Sequence, residues 1–130
     1  MARHLAIFND EGIEKILQGE KTVESRFSIA KIPPYQQVKK DDEIYLKKSG
    51  GKILGKVLVD NVLYYENLDG EMIGKLRKEY EKDLKTDDNF WQVHAHAHFA
   101  TIIFLKKPQR FLVPIKNKKH DRRPWVVLES

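Results

Sequence analysis

Gly19-Glu20-Lys21-Thr22-Val23-Glu24-Ser25-Arg26 sets an ammonium, a carboxylate and a guanidinium close together, between a short amphipathic stretch and the apolar Phe27. Gly19 is the residue best suited to end the preceding helix, because without a Cβ it enters the left-handed region freely. Thr22 and Val23 favour strand over helix. A strand from Thr22 onward alternates faces, so Thr22, Glu24 and Arg26 share one side while Val23 and Ser25 take the other. A carboxylate and a guanidinium two residues apart on one face can pair, and the fork of Arg26 can still reach a phosphate or a base edge. Lys21, at the strand entrance, brings its ammonium to the same spot on a flexible stem. The plainer alternative is a solvated strand whose charges serve solubility.

Upstream of this stretch, His4-Leu5-Ala6-Ile7-Phe8 reads as a buried strand, and Ile13, Ile16 and Leu17 recur at helical spacing behind Asn9 or Asp10 as cap. Downstream, residues 28–42 hold Pro33-Pro34 and little periodicity, an extended loop whose one aromatic, Tyr35, is expected to pack it down, with stacking on a base as the alternative. Ile44-Tyr45-Leu46-Lys47 alternates as a strand, and Ser49-Gly50-Gly51 is a hairpin turn. In the long strand that follows, Ile53, Gly55, Val57 and Val59 form one face; an interior glycine there implies the bulge or bend that a small barrel needs.

Residues 67–85 are the clearest helix, with Met72, Ile73, Leu76, Tyr80 and Leu84 on its apolar face and mixed charges opposite. A shorter helix is expected through Phe90-Trp91-Gln92-Val93. Residues 99–105 are nearly continuously apolar and predict a central strand. Lys106-Lys107-Pro108-Gln109 is expected to turn the chain, with Arg110-Phe111-Leu112-Val113 returning as a partner strand, and Trp125-Val126-Val127-Leu128 is the last strand. With no linker and no internal repeat, residues 1–130 read as one α+β domain: a mixed β-barrel with two or three flanking helices.

The chain has 130 residues and no cysteine, which excludes a disulfide framework or disulfide-linked partner, a thiolate metal site and a cysteine nucleophile. No signal segment opens it and no apolar run approaches a membrane span, so a soluble cytoplasmic protein without membrane partners is expected. The net charge of +5 favours polyanionic partners. The charge is uneven: Lys106, Lys107, Arg110, Lys116, Lys118, Lys119, Arg122 and Arg123 share their span with a single acidic residue, Asp121. The loop holding Lys116, Lys118, Lys119, Arg122 and Arg123 is a candidate phosphate-contacting surface. His94, His96 and His98 are a weak metal candidate: no Asp, Glu or His at a fixed offset completes a site, and a structural segment in which Ala95 and Ala97 pack closely against another element explains the alternation without any chemistry. No metal and no cofactor is expected, and no oligomeric state is implied.

Gly-x-Lys-x-x-Glu-x-Arg resembles the signature of ASCH domains, a branch of the PUA-like fold named for homology to an activating signal cointegrator, and Gly19, Lys21, Glu24 and Arg26 fill its fixed positions. The resemblance spans nearly the whole chain, from the first strand and helix to the final Trp125-Val126-Val127 segment. It implies a small PUA-like barrel whose cleft is lined by the motif, a role in binding RNA or modified nucleosides, and enzymatic activity in a few members. Some members hydrolyse the amide of N4-acetylated cytidine and carry Thr where this chain has Glu24, so that hydroxyl nucleophile is missing; Ser25, on the opposite strand face, is a poor substitute. Others cleave RNA. Two readings follow. In the first, Lys21, Glu24 and Arg26 bind RNA or a modified nucleotide, with Lys116, Lys118, Lys119, Arg122 and Arg123 tracking the backbone. In the second, the chain is a small hydrolase, nuclease or amidohydrolase, with Lys21 and Glu24 as general base and acid and Arg26 holding the anion.

Overall fold

Alternating burial along the strands sorts the side chains into two cores on opposite faces of one sheet. The computed structural model describes residues 1–117 and 122–129, the Glu129 side chain excepted. Among these, six strands and three helices follow in the order β1 (Arg3–Phe8), α1 (Gly12–Leu17), β2 (Val23–Ser28), β3 (Glu43–Lys48), β4 (Ile53–Tyr65), α2 (Gly70–Leu84), α3 (Asp88–Val93), β5 (Phe99–Ile115) and β6 (Trp125–Glu129). The sheet order is β2-β5-β4-β3-β1-β6. Only β1 and β3 run parallel; every other pair is antiparallel, so the sheet is mixed, and it curls into a half-barrel.

The inner core joins Ala6, Phe8, Ile44, Leu46, Val57, Ile103 and Trp125 from the strands to Ile13 and Ile16 of α1 and Val38 of the 29–42 loop. The outer core sets Val23, Ala100 and Ile102 against Ile73, Leu76 and Leu84 of α2 and Trp91 of α3. Ile102 and Ile103, adjacent and both fully buried, face opposite cores, as the period of two requires. The Asp69 side chain caps α2 by accepting from Met72 N at 2.8 Å, and Asp87 caps α3 by accepting from Phe90 N at 3.0 Å. Arg77 then ties the two helices, donating to Glu81 and to Asp88. Among the described residues no helix is long and apolar enough to cross a membrane.

One expected connection is corrected. Residues 106–109 do not turn the chain: β5 runs unbroken for 17 residues and β4 stays opposite it. Lys107, with φ of 50°, makes an irregularity within the strand instead. Pro108 is tolerated because it falls within this irregularity, where Lys107 and Pro108 together lie opposite the single residue Val57 of β4 and the regular ladder is interrupted.

Gly55 sits where the register of β4 shifts against both neighbours. A Cβ there would lie 2.5 Å from the Gln109 carbonyl oxygen and 2.9 Å from Leu17 Cδ2. Gly55→Ala should therefore cost roughly 1–3 kcal/mol, as overpacking does. Gly74→Ala, inside α2 with nothing within 4 Å, should instead stabilise by about 0.5–1 kcal/mol. Urea unfolding of the two variants measures both, and equal stability for both would contradict the tight approach at Gly55.

Candidate functional site

Helix α1 ends in a Schellman arrangement: Glu20 N donates to Lys15 O at 2.9 Å and Gly19 N to Ile16 O at 3.0 Å, with Gly19 at φ of 79°. A further bond, Lys21 N to Lys15 O at 3.0 Å, turns Lys21 back toward the helix before β2 begins. Glu24, one register pair from the inner core through Ile103, points into the barrel and is only 6% exposed. Its Oε1 lies 3.1 Å from Lys21 Nζ and accepts from Ser25 N at 3.0 Å, and its Oε2 accepts from Arg26 Nη2 at 3.2 Å. Burial works against the charged carboxyl, but the charges of Lys21 and Arg26 and the bonds from Lys21 and the Ser25 N–H outweigh it, holding Glu24 below its ordinary 4.5.

Arg26 reaches across the opening of the half-barrel. Its Nη2 donates to Ile7 O and its Nη1 to Pro124 O, both at 3.2 Å, and its guanidinium carbon stands 4.9 Å from the Phe8 ring and 5.3 Å from that of Trp125. β2 is one edge of the sheet and β6, entered from Pro124, is the other, so one side chain bridges the seam. Three of the five guanidinium N–H groups are used in this way, which leaves two without a partner among the described residues.

A cleft of about 500 Å³ opens here, lined by Lys21, Glu24 and Arg26 together with Phe8, Gly12, Lys15, Pro124 and Trp125. It continues past the free edge of β2 to the Pro33-Pro34-Tyr35 segment and to Lys85, Thr86, Phe90 and His94. Among the described lining residues, Lys15, Lys21, Arg26 and Lys85 are matched by Asp10, Glu11, Glu24 and Asp87. The cleft is thus not a broad electropositive track; its positive charge is local, where two cations surround one buried carboxylate.

The structure brings Lys21, Glu24 and Arg26 together. Lys116, Arg122 and Arg123 are exposed and do not line the cleft, although Pro124, next along the chain, does. Lys118 and Lys119 lie outside the described residues. Two other basic residues of that span hold the fold: Arg110 makes paired bonds to Glu14 at 2.9 and 2.7 Å, and Lys106 bonds Asp41 at 2.6 Å. The His94, His96 and His98 side chains do not share a strand or helix face, since His94 caps the C-terminus of α3 and His96 and His98 follow in an exposed turn. Among the described residues no group of three or more His, Cys, Asp or Glu side chains could hold a metal ion.

Sequence reasoning missed three features. Trp125 Nε1 donates to His4 Nδ1 at 3.1 Å, and His4 Nε2 lies 2.8 Å from Asp42 Oδ2, a buried chain that links β6, β1 and the residue before β3. Indole can only donate, so His4 accepts at Nδ1 and donates at Nε2. Burial opposes the charge on Asp42, but bonds from His4 and from the Ala2 and Lys39 N–H groups outweigh it and keep the carboxyl below its ordinary 3.8. Ser25 lines the same cleft as the motif triad, because β2 is an edge strand and both of its faces are within reach. Phe27, Phe90 and His94 cluster beside it. Only the adjacent Phe90 and Trp91 and the histidines that follow them hinted at this group.

No protein-family model and no curated protein matches the sequence. Solved structures do match. The crystal structure of ASCH from Zymomonas mobilis superposes with a TM-score of 0.72 at 16% identity, covering 98% of this chain and 87% of that one. A point mutant of the same protein gives the same score and identity over 88% of its chain. A hypothetical protein, PH0355, matches at a TM-score of 0.50 and 21% identity, over 85% of this chain and 97% of its own.

The chain has the fold of an ASCH domain. Within that fold, Gly19, Lys21, Glu24 and Arg26 stand at the helix exit, the cleft wall and the barrel seam, which gives each fixed position of the motif a physical task.

Glu24 and Asp42 have folded values below their ordinary ones, so on acidification the unfolded chain takes up protons first. Their contribution to stability is complete above the ordinary values and is lost as the pH falls through them toward the folded values. Glu24→Gln should cost about 3–5 kcal/mol at neutral pH, by stranding two cations, and should make stability fall less between about pH 5 and 3. Denaturant melts across that range measure this; a variant curve parallel to wild type would show that Glu24 is not the buried partner of Lys21 and Arg26.

Proposed function

We propose that this ASCH domain binds single-stranded RNA or a modified nucleotide, its anionic group at the Lys21–Arg26 end of the cleft and the flanking backbone against the loop between β5 and β6. The observation that carries this reading is the excess of one positive charge around buried Glu24, set at the wall of a cleft of about 500 Å³, a size that suits a small ligand. Lys21 uses one ammonium donor on Glu24 and Arg26 keeps two N–H groups, so both cations retain donors for phosphate oxygens. Glu24 serves as the fixed counter-charge that orients them. The balanced charge of the remaining lining favours one or two nucleotides in the cleft over a long polyanion.

The hydrolytic alternative, with Lys21 and Glu24 as general base and acid, has less support. A carboxylate that accepts from Ser25 N and Arg26 and pairs with Lys21, and is held ionised by them, is poorly placed to deliver a proton at neutral pH.

Fluorescence anisotropy of a short labelled single-stranded RNA tests the proposal. Affinity should fall between 50 and 200 mM salt, and Lys15→Ala, which removes a cleft cation without touching the buried triad, should weaken it by about tenfold. Replacing Lys116, Arg122 and Arg123 with alanine should lower the slope of log affinity against log salt by roughly 2, at about 0.7 for each phosphate no longer neutralised. Salt-independent affinity, or no loss with Lys15→Ala, would contradict the reading.

A further inference from the structure

The cleft does not stop at the charged triad. β2 is an edge strand, and the cleft passes round its free edge to the outer face, where Ser25 and Phe27 stand opposite Phe90 and His94 at α3 and its C-terminus. Register separates the two sides: Glu24 pairs with Ile103 and Arg26 with Thr101 on the barrel side, while Ser25 pairs with Ile102 and Phe27 with Ala100 on the helix side. Ser25 is 5% exposed, and its buried Oγ has no hydrogen-bond partner among the described residues. It is the one buried side-chain polar atom among those residues that is left so. An unpaired buried hydroxyl costs stability in the unliganded protein, and at a cleft wall its natural partner is a ligand atom.

The surroundings narrow the ligand's chemistry. The Phe27 and His94 rings stack with centroids 5.3 Å apart at 25°, and Phe90 meets His94 at 4.6 Å and Phe27 at 6.0 Å. His94 remains half-buried, so this aromatic wall still borders the cleft. Burial and the charge of Arg26 push His94 below its ordinary 6.5, which leaves the ring neutral at physiological pH and able to accept as well as donate. A peptide strand is a poor occupant: Leu105 N bonds Thr22 O, so Ser25 turns its own N–H to the free edge, and Glu24 Oε1 already takes it. A flat ring with polar atoms on its rim matches both the hydroxyl and the aromatic wall.

We infer that this second compartment, on the outer face of β2, takes the nucleobase of the ligand whose anionic group sits at Lys21 and Arg26, with the Ser25 hydroxyl bonding the base edge and Phe27, Phe90 and His94 forming the stacking wall. The inference rests on the nucleotide reading of the cleft and assigns it a base-recognition end. Ser25, read from strand alternation as facing away from the site, becomes a specificity residue.

Calorimetric titration of wild type, Ser25→Ala and His94→Ala with the four ribonucleoside 5′-monophosphates and with ribose 5-phosphate tests it. Wild type should bind at least one nucleotide about tenfold or more tightly than ribose 5-phosphate, which lacks a ring to stack. Ser25→Ala should weaken the preferred nucleotide by about tenfold, leave ribose 5-phosphate unchanged, and melt no lower than wild type. His94→Ala should weaken all four nucleotides and spare ribose 5-phosphate. Equal affinities for nucleotide and ribose 5-phosphate, or Ser25→Ala binding every nucleotide as wild type does, would overturn the inference while leaving the anion site standing. A loss of affinity accompanied by a lower melting temperature would mark Ser25 as a packing residue and also overturn it. No binding of any probe, RNA included, would overturn both this inference and the reading beneath it.

Discussion

One buried carboxylate organises the functional end of this molecule. Glu24 lies inside the barrel wall with Lys21 on one oxygen and Arg26 on the other, and Arg26 in turn grips the backbone of β1 and of the segment entering β6. Taking three charges out of water is expensive, and a well-packed apolar trio of the same volume would serve stability at least as well. What the ionic trio adds is geometry. The guanidinium donates only in its own plane, so the two open edges of the sheet are held at a set separation, and the cations are presented to the cleft at a set spacing. Phe8 and Trp125 flank the guanidinium and limit its contact with solvent.

The half-barrel explains why such a bridge is required. Strand pairing runs continuously from β2 to β6 but does not close the ring, and an unpaired edge elsewhere invites further strands. Here the edge is blunted by side chains, Arg26 across the seam and Glu24 on the outward N–H of Ser25. The same incomplete closure leaves a cleft with access to both faces of one strand. A barrel closed by backbone pairing would have sealed the opening; a flat sheet would have placed Lys21 and Arg26 on open surface, where water screens them. The Trp125–His4–Asp42 chain fixes the opposite side of the seam, since Trp125 both packs against Arg26 and donates to His4.

Much of this was legible in the chain because it depends on neighbours. The helix stop at Gly19, the shared face of Glu24 and Arg26, the face formed by Ile53, Gly55, Val57 and Val59, and the long amphipathic α2 all follow from local conformational preference and periodicity. What was hidden depends on which strands lie next to which. Lys107-Pro108 carries turn chemistry, and only the continued pairing with β4 on both sides shows that β5 absorbs the two residues as an irregularity. Ser25 takes the face opposite Glu24 and Arg26, as alternation implies, but alternation does not reveal that β2 is an edge, which is what brings Ser25 to the cleft wall. The partners of His4 are Asp42 and Trp125, 38 and 121 positions away, and no local pattern links them.

The most direct test of the central claim is an amide-resolved NMR titration of the folded protein with a ribonucleoside 5′-monophosphate. The account predicts that the largest shift changes fall on residues 21–28, on Trp125 and on the amides around His94, with the solvent face of α2 at Lys75 and Lys78 unmoved. Perturbations centred on α2 or on the β3–β4 hairpin, or none at millimolar ligand, would contradict it.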